Sequence, residues 1–441
     1  MASGGERKAR VLKGFRDQLP QQMILRQQIV GIFRGIFERH GFEPIDTPAL
    51  EYLDVLTGKA GENERLMYQF TDHGGREVGL RYDLTVPLAR VVAQHGNDLT
   101  LPFKRYHIAP VWRAENPQRG RTREFWQCDA DIAGTASMIA DAEVVAIMAE
   151  ALRAVGLPGF TINISHRRLL ASLARAAGVP DERAGTVYRS ADKLAKIGPD
   201  GVLAEMTEHG VDPEAGRRLL EVLALAGEPF DLLDELQVRL GDLPPAESGI
   251  GDLRELFTLL PSFGVTSQTA VLDLTLARGL DYYTGPVFEA TVLEPKIGSV
   301  GGAGRYDGLV GTFLGREVPA TGMSLGLERI IEVVQEHHLL PTPRSVAQVT
   351  LLAFPDTVGD AARLATELRQ GGLRVDLGLQ PNRGIGDQLK QADRRGIPLA
   401  VIVGASELAA GNVSVKDLRD GVQTTLPRAG LADRLRAMLD G

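Results

Sequence analysis

Arg113-Ala-Glu-Asn-Pro-Gln-Arg-Gly-Arg-Thr-Arg-Glu-Phe-Trp-Gln-Cys-Asp-Ala-Asp131 holds two strand ends and the turn that joins them. It follows a strand-like run, turns at Asn116-Pro117 and at Gly120, and resumes as a strand from Glu124. Asn-Pro and Gly favour turn backbones. Strands joined by a turn, with no helix between them, pair antiparallel. The same alternation of strand and turn runs over residues 67–134, broken by one helix near residues 85–94. An α+β fold built on an antiparallel sheet follows.

Outward from this hairpin, residues 21–39 form the first helix. Leu25, Ile29, Ile32, Phe33, Ile36 and Phe37 recur at helical spacing, and Gly41 follows as a stop. Pro44 and Pro48 then forbid a central strand and suggest an edge or interface segment over residues 42–50. Helix returns at residues 140–155. Residues 166–266 are Ala/Leu/Glu-rich and largely helical, with breaks at Gly178-Val-Pro180, Pro199-Asp-Gly201 and Pro244-Pro245. The sheet resumes at Val271, where Leu272, Leu274 and Leu276 share one face of a strand pattern, and runs to about Leu325 before a helix at residues 328–335. Pro341-Thr-Pro343 is a stiff linker. Beyond it, Val349-Thr-Leu-Leu352, residues 358–370, Leu373-Arg-Val-Asp-Leu377, residues 385–395 and Leu399-Ala-Val-Ile-Val403 alternate strand and helix. That alternation predicts a largely parallel α/β domain. The expected division is a sheet domain of residues 1–165 and 267–338, a helical insertion at 166–266, a linker at 339–345 and an α/β domain at 346–441.

The chain has 441 residues, 44% hydrophobic and 24% charged, ordinary for a globular protein of several domains. Its one cysteine, Cys128, excludes an intrachain disulfide framework and a Cys-rich zinc site, and makes a reducing cytoplasm the simplest home. Residues 1–10 carry charge without an apolar core, and no apolar run reaches spanning length, so neither export signal nor membrane segment is expected. A net charge of −8 argues against a generic polyanion binder. The charge is uneven: the last 101 residues hold 13 Lys/Arg against 11 Asp/Glu, leaving −10 on the first 340.

Five constellations could carry chemistry. In Arg278-Gly-Leu-Asp-Tyr-Tyr-Thr-Gly285, between strand-like runs, a guanidinium beside Tyr282 and Tyr283 suits a ligand that is part phosphate and part small polar ring. A surface turn with a satisfied Arg–Asp pair is the competing account. In the hairpin, Arg113, Arg119, Arg121 and Arg123 with Phe125 make a polyphosphate and base site, or a solvated basic turn. On its return strand Gln127, Asp129 and Asp131 share a face, and if buried they need a ligand or a network. Gly301-Gly-Ala-Gly-Arg-Tyr-Asp-Gly-Leu309 has no βαβ context, so its glycines read equally as close backbone approach. Arg329, in the first turn of its helix, opposes the macrodipole unless an anion lies near. Asp83 and Thr85 are helix caps or ammonium ligands. No helical His pair, Gly-x-Ser-x-Gly or P-loop pattern occurs.

In this order and with this tail, the motifs resemble those of the histidyl-tRNA synthetases, class II aminoacyl-tRNA synthetases. The likeness runs from about Lys13 to the C-terminus and is weakest in the helical insertion. The segment at 42–50 is similar to motif 1, residues 113–131 to motif 2 and residues 322–329 to motif 3. The octet at Arg278 and Gly304-Arg-Tyr-Asp-Gly308 resemble the histidine-specific motifs, and the tail, with Gly386-Asp-Gln-Leu-Lys-Gln-Ala-Asp393 and Val415-Lys-Asp-Leu418, the anticodon-binding domain. Ala303 stands where the family more often has glycine.

The resemblance implies a histidine–tRNA ligase: L-histidine and ATP, with Mg2+, give histidyl-adenylate and pyrophosphate, and histidine then passes to the 3′ end of tRNA(His). It implies that Arg113 grips the α-phosphate, Glu115 accepts from the adenine amino group, Phe125 stacks on the ring, and Arg121 and Arg329 hold the β/γ end. Asp83, Thr85 and Gln127 would bind the α-ammonium of histidine. Asp131 and Tyr283 would bond the imidazole, with Tyr282 and Tyr306 lining the pocket. Arg278 would stabilise the pentavalent transition state opposite Arg113. A cytoplasmic homodimer, with no membrane partner and no protein-bound metal, completes the expectation. The competing account is a non-catalytic regulatory paralogue, such as the regulatory subunits of ATP phosphoribosyltransferase, which lack the tail and parts of the ATP site. This chain keeps Arg113, Arg278, Arg329 and the tail.

Overall fold

A computed structural model describes residues 8–57, 61–191, 193–240, 243–276, 282–295 and 297–440. They fall into two compact units: Ile29–Leu340 with Met1–Asp17, and Pro341–Gly441 with Gln18–Gln28.

The helix α1 (Pro20–Arg39), whose residues from Ile29 on belong to the first unit, buries Ile29, Phe33, Ile36 and Phe37, part of the stripe its spacing predicts. The main sheet uses β1 (Glu43–Pro44), β5 (Phe103–Trp112), β6 (Glu124–Ala133), β7 (Phe160–His166), β8 (Ala270–Leu272), β9 (Pro286–Val292), β10 (Ser299–Arg305) and β11 (Ala320–Gly326). Their order is β1-β5-β6-β11-β10-β9-β7-β8. Every inner pair is antiparallel, while β1 on β5 and β8 on β7 are parallel, so the sheet is mixed at its two edges. Pro44 sits on an edge strand, where its missing N–H costs no inner ladder bond. A smaller sheet, ordered β2-β4-β3, comprises β2 (Leu50–Tyr52), β3 (Gln69–Thr71) and β4 (Glu77–Leu80). After α2 (Leu53–Leu56), α3 (Thr85–His95) follows β4.

One face of the main sheet is covered by α4 (Met138–Ala154), which packs across β6, β7, β9, β10 and β11. Ser137 starts it, its Oγ accepting from Ile139 N at 3.3 Å. Arg305 on β10 reaches through that face to Asp141 of α4 and to the carbonyls of Thr135 and Ser137. Since Thr321 pairs with Arg305 and Ile132 with Thr321, these three side chains share the α4 face. The next residues along each strand, Gly304, Gly322 and Asp131, face the opposite side. Ala303 therefore turns its methyl toward α4, away from the side that Asp131 faces; it is 2% exposed.

The helical run is α5 (Arg167–Ala176), α6 (Asp181–Ala191), α7 (Leu194–Glu208), α8 (Pro213–Leu223), α9 (Pro229–Leu240) and α10 (Pro244–Leu259). Gly178-Val-Pro180 separates α5 from α6, and Pro244 opens α10, a first-turn position that loses no bond. The break read at Pro199 is only a kink: Gly198 takes φ +71° and helix continues on both sides.

One strand reading needs correction, and the sheet read from Val271 to about Leu325 is interrupted by a helix. The strand from Val271 to Leu276 ends at Leu272, because Asp273 Oδ1 accepts from the backbone and hydroxyl of Thr275 and bends the chain. Leu272, Leu274 and Leu276 are all buried, so period-two burial survives without the ladder. Between β10 and β11 lies α11 (Asp307–Leu314), and after β11 comes α12 (Leu327–Glu336).

The second unit has β12 (Val349–Leu352), α13 (Val358–Gln370), β13 (Val375–Leu377), α14 (Ile385–Arg395), β14 (Leu399–Ile402), α15 (Ala405–Ala409), β15 (Asn412–Asp417), β16 (Gln423–Pro427) and α16 (Leu431–Asp440). The order is β13-β12-β14-β15-β16, parallel over the first three strands and antiparallel over the last two. It owns a core of Val349, Leu351, Leu364, Leu368, Val401, Val415 and Leu435.

Candidate active site

On the sheet face away from α4, a cavity of about 300 Å³ is lined by Thr85, Arg113, Glu115, Arg121, Phe125, Gln127, Asp131, Tyr282, Tyr283, Tyr306 and Arg329. These side chains come from the start of α3, the β5–β6 hairpin, the segment before β9, the end of β10 and the start of α12. Asp83 lies buried just before α3. Arg278 falls outside the described residues.

The carboxylate end is deep. The ladders set Arg105 opposite Asp131, and Asp131 opposite Gly322, so the three meet on one face. Arg105, fully buried, brings Nη2 within 2.8 Å of Asp131 Oδ2 and donates to Leu84 O at 3.1 Å. Tyr306 OH donates to Asp131 Oδ1. Glycine at 322 is required here: a Cβ would lie 1.9 Å from Asp131 Oδ1. Gly304 likewise makes room for the Tyr283 ring. Tyr282 packs edge-on against Tyr283, centroids 4.9 Å apart, and against Tyr306 at 5.8 Å. Asp83 is both cap and site residue: Oδ1 accepts from Val86 N at 3.1 Å, while Oδ2 is buried without a protein partner.

Burial raises three carboxyls at this end: Asp131, which lines the cavity, and the buried Asp83 and Asp129 near it. Asp83 is pushed up to about 6 by desolvation, with Arg113 and Arg105 opposing and Asp131 adding to the rise. Asp129 and Asp131 are raised by desolvation too, against the pull of Arg105. Three carboxyls face one fully buried guanidinium, so the wall lacks positive charge and suits a cationic ligand.

The arginine end is shallower. Arg113 donates from Nε to Tyr82 O at 2.9 Å and lays its guanidinium 5.1 Å over the Phe125 ring. Arg121 Nη1 is 3.3 Å from Glu115 Oε2. Gly120 takes φ +66° at the hairpin tip, close under the Arg329 side chain, and Arg329 donates to Ser299 O. The four-arginine cluster read from the hairpin is reduced to two. Arg119 is exposed and pairs with Glu332 and Glu336 of α12, while Arg123 donates to the carbonyls of Lys13 and Glu115.

Sequence reasoning missed Arg105 and Ser324. Arg105 sits on β5 in Phe103-Lys-Arg-Tyr-His, where only the ladder register ties it to Asp131. Ser324 lines the cavity from β11 and accepts from Gln127 Nε2 at 2.6 Å. Among the described residues no group of three His, Cys, Asp or Glu side chains could hold a metal ion, and no helix is long and apolar enough to cross a membrane. Cys128, the single cysteine of the sequence, is buried.

Residues 14–330 match the family model for histidyl-tRNA synthetase, and residues 348–438 the model for an anticodon binding domain. A histidine–tRNA ligase of Rhodopirellula baltica is 44% identical over 93% of this chain and 93% of its own. The crystal structure of a histidyl-tRNA synthetase from Nostoc superposes with a TM-score of 0.87 at 33% identity, covering 98% of this chain and 100% of that one. A Bacillus halodurans structure titled as an ATP phosphoribosyltransferase regulatory subunit/histidyl-tRNA synthetase gives a TM-score of 0.72 at 26% identity, covering 86% and 95%.

Proposed function

Because the chain belongs to the histidyl-tRNA synthetase family, a family of aminoacyl-tRNA ligases, we propose that this cavity joins L-histidine to ATP as histidyl-adenylate and then delivers histidine to the 3′ end of tRNA(His). One observation carries the assignment of the cavity. A deep wall of carboxyls and phenols and a shallow wall of guanidiniums share one space, matching a cationic amino acid at one end and a triphosphate at the other.

Asp83 Oδ2, Thr85 and Gln127 would take the α-ammonium. Asp131 and Tyr283 would bond the two imidazole nitrogens, with Tyr282 and Tyr306 closing the pocket. A carboxylate and a phenol fix one tautomer, and an apolar competitor would leave them unpaired, so discrimination needs no editing. Arg113 would grip the α-phosphate, Phe125 would stack on adenine, Glu115 would accept from its amino group, and Arg121 and Arg329 would hold the β/γ end. Arg278, placed by resemblance alone, would stand across the α-phosphate from Arg113. Adenylation asks for in-line placement and neutralised phosphate charge, which guanidiniums supply without a proton equilibrium. Magnesium, arriving with the triphosphate, would supply further charge neutralisation, and the carboxylates of Glu289 and Glu328, which also line the cavity, would be the residues to hold it.

Residues 1–165 and 267–338 would perform the chemistry, 166–266 would be an insertion, 339–345 a linker, and 346–441 would hold the anticodon. A cytoplasmic homodimer through residues 42–50 belongs to the same proposal. A regulatory paralogue is disfavoured by Arg113, Arg121 and Arg329 lining the cavity. The test is ATP–pyrophosphate exchange with magnesium across all twenty amino acids, followed by charging of tRNA(His). Exchange with histidine alone is expected. Histidine binding without exchange would favour the regulatory reading, and exchange with another amino acid would overturn the pocket.

A further inference from the structure

Gln127 has a carboxamide whose two ends differ only in what they can offer: the oxygen accepts, the nitrogen donates. The α-ammonium assigned to this residue is donor-only, so the oxygen must face it. The terminal torsion of glutamine is broad, and nothing in the side chain itself decides between the two orientations. Its surroundings do. Gln127 Nε2 donates to Ser324 Oγ at 2.6 Å, and Oε1 is buried without a protein partner. Ser324, having accepted, keeps one O–H to donate. Directly across the β6–β11 ladder stands Asp129, 1% exposed, whose carboxyl has no hydrogen-bonding neighbour besides Ser324. It is the acceptor at hand. Were the amide reversed, Ser324 would spend its proton on Gln127 Oε1 and leave a buried carboxyl without a donor, which is costly.

We infer that Ser324 and Asp129 are positioning residues that lock the Gln127 carboxamide with its oxygen toward the ammonium of the amino acid. The inference rests on the ligase reading of Gln127. Burial raises the Asp129 carboxyl to about 8, with Asp131 adding to the rise and Arg105 and the hydrogen bond from Ser324 opposing it, so the contact with Ser324 favours the acceptor form.

Pyrophosphate exchange on the full chain tests it, comparing Gln127→Ala, Ser324→Ala, Ser324→Thr and the double variant Gln127→Ala/Ser324→Ala. Ser324→Ala is expected to raise the histidine KM about tenfold while the ATP KM moves far less. Ser324→Thr, which keeps the hydroxyl, is expected to restore it. In the Gln127→Ala background, Ser324→Ala is expected to add nothing. Inhibition by histamine, which retains the ammonium, should weaken in Ser324→Ala, and inhibition by imidazolepropionate, which lacks it, should not. If Gln127→Ala raises the histidine KM and Ser324→Ala leaves it alone, or if the two effects simply add, the relay is wrong and the Gln127 assignment stands. If Gln127→Ala itself leaves the histidine KM unchanged, both fall.

Discussion

Asp83 is where stability and binding pull apart. One oxygen caps α3 at Val86 N and the other is buried without a protein partner. Desolvation raises its carboxyl to about 6, against roughly 4 in an unfolded chain. A carboxyl raised by folding contributes stability that is fully present below the unfolded value and is lost as pH rises through the folded value, here between about pH 4 and 6. Above that window the buried charge costs on the order of 3 kcal/mol. Asn keeps the cap and removes the charge. Asp83→Asn is therefore expected to raise the Tm of the ligand-free protein at pH 8, to raise it by only about half as much at pH 5, inside that window, and to weaken histidine binding at both. Thermal melts at the two pH values check the first part and calorimetry the second. A Tm gain of equal size at pH 5 would mean the charge is not its source. Arg105 belongs to the same account. A fully buried cation beside Asp131 and Asp129 was not legible in the sequence, because Lys104, Arg105 and His107 read alike until the register says which faces what.

At the scale of elements, the hairpin over residues 113–131 was legible because its turn residues and period-two face are local signals. Register is not local. The glycines of residues 301–308 could be read as a nucleotide loop or as close packing, and the second account is nearer the truth at Gly304, which vacates the space that the Tyr283 ring occupies; Gly322 on β11, outside that reading, does the same for Asp131. Elements of few turns were lost. α11, of eight residues, is too short for helical periodicity to stand out, and Asp273 stopped β8 by a side-chain bond that no hydrophobic pattern reports. Gly322→Ala would drive a methyl into Asp131, which Arg105 and Tyr306 hold, so the carboxylate must shift. A loss of about 1–3 kcal/mol of stability is expected, with the histidine KM raised at least tenfold and the ATP KM changed little. Denaturant titration and the paired KM values check this, and an unchanged histidine KM would remove Asp131 from the pocket.

For the whole molecule, the chain beyond the Pro341-Thr-Pro343 stretch holds its own core, with Val349, Leu364, Val401, Val415 and Leu435 buried among themselves. The alternation of strand and helix gave its parallel half. The antiparallel β15 and β16 were not foreseen, because β16 is largely exposed and lacks an apolar face to read. The charge differs between the parts, −10 over residues 1–340 against +2 over 341–441. An acidic body repels a polyanion, so affinity for tRNA should depend disproportionately on the tail. All cavity residues lie before Pro341. Deleting residues 341–441 is accordingly expected to leave histidine-dependent pyrophosphate exchange within about tenfold of the full chain while reducing tRNA charging by two orders of magnitude or more. Circular dichroism on the shortened chain separates a misfolded body from a lost contact. If the body is folded and exchange disappears along with charging, the tail supports the adenylation site as well as the tRNA. If charging survives at full rate, recognition of tRNA lies in the acidic body.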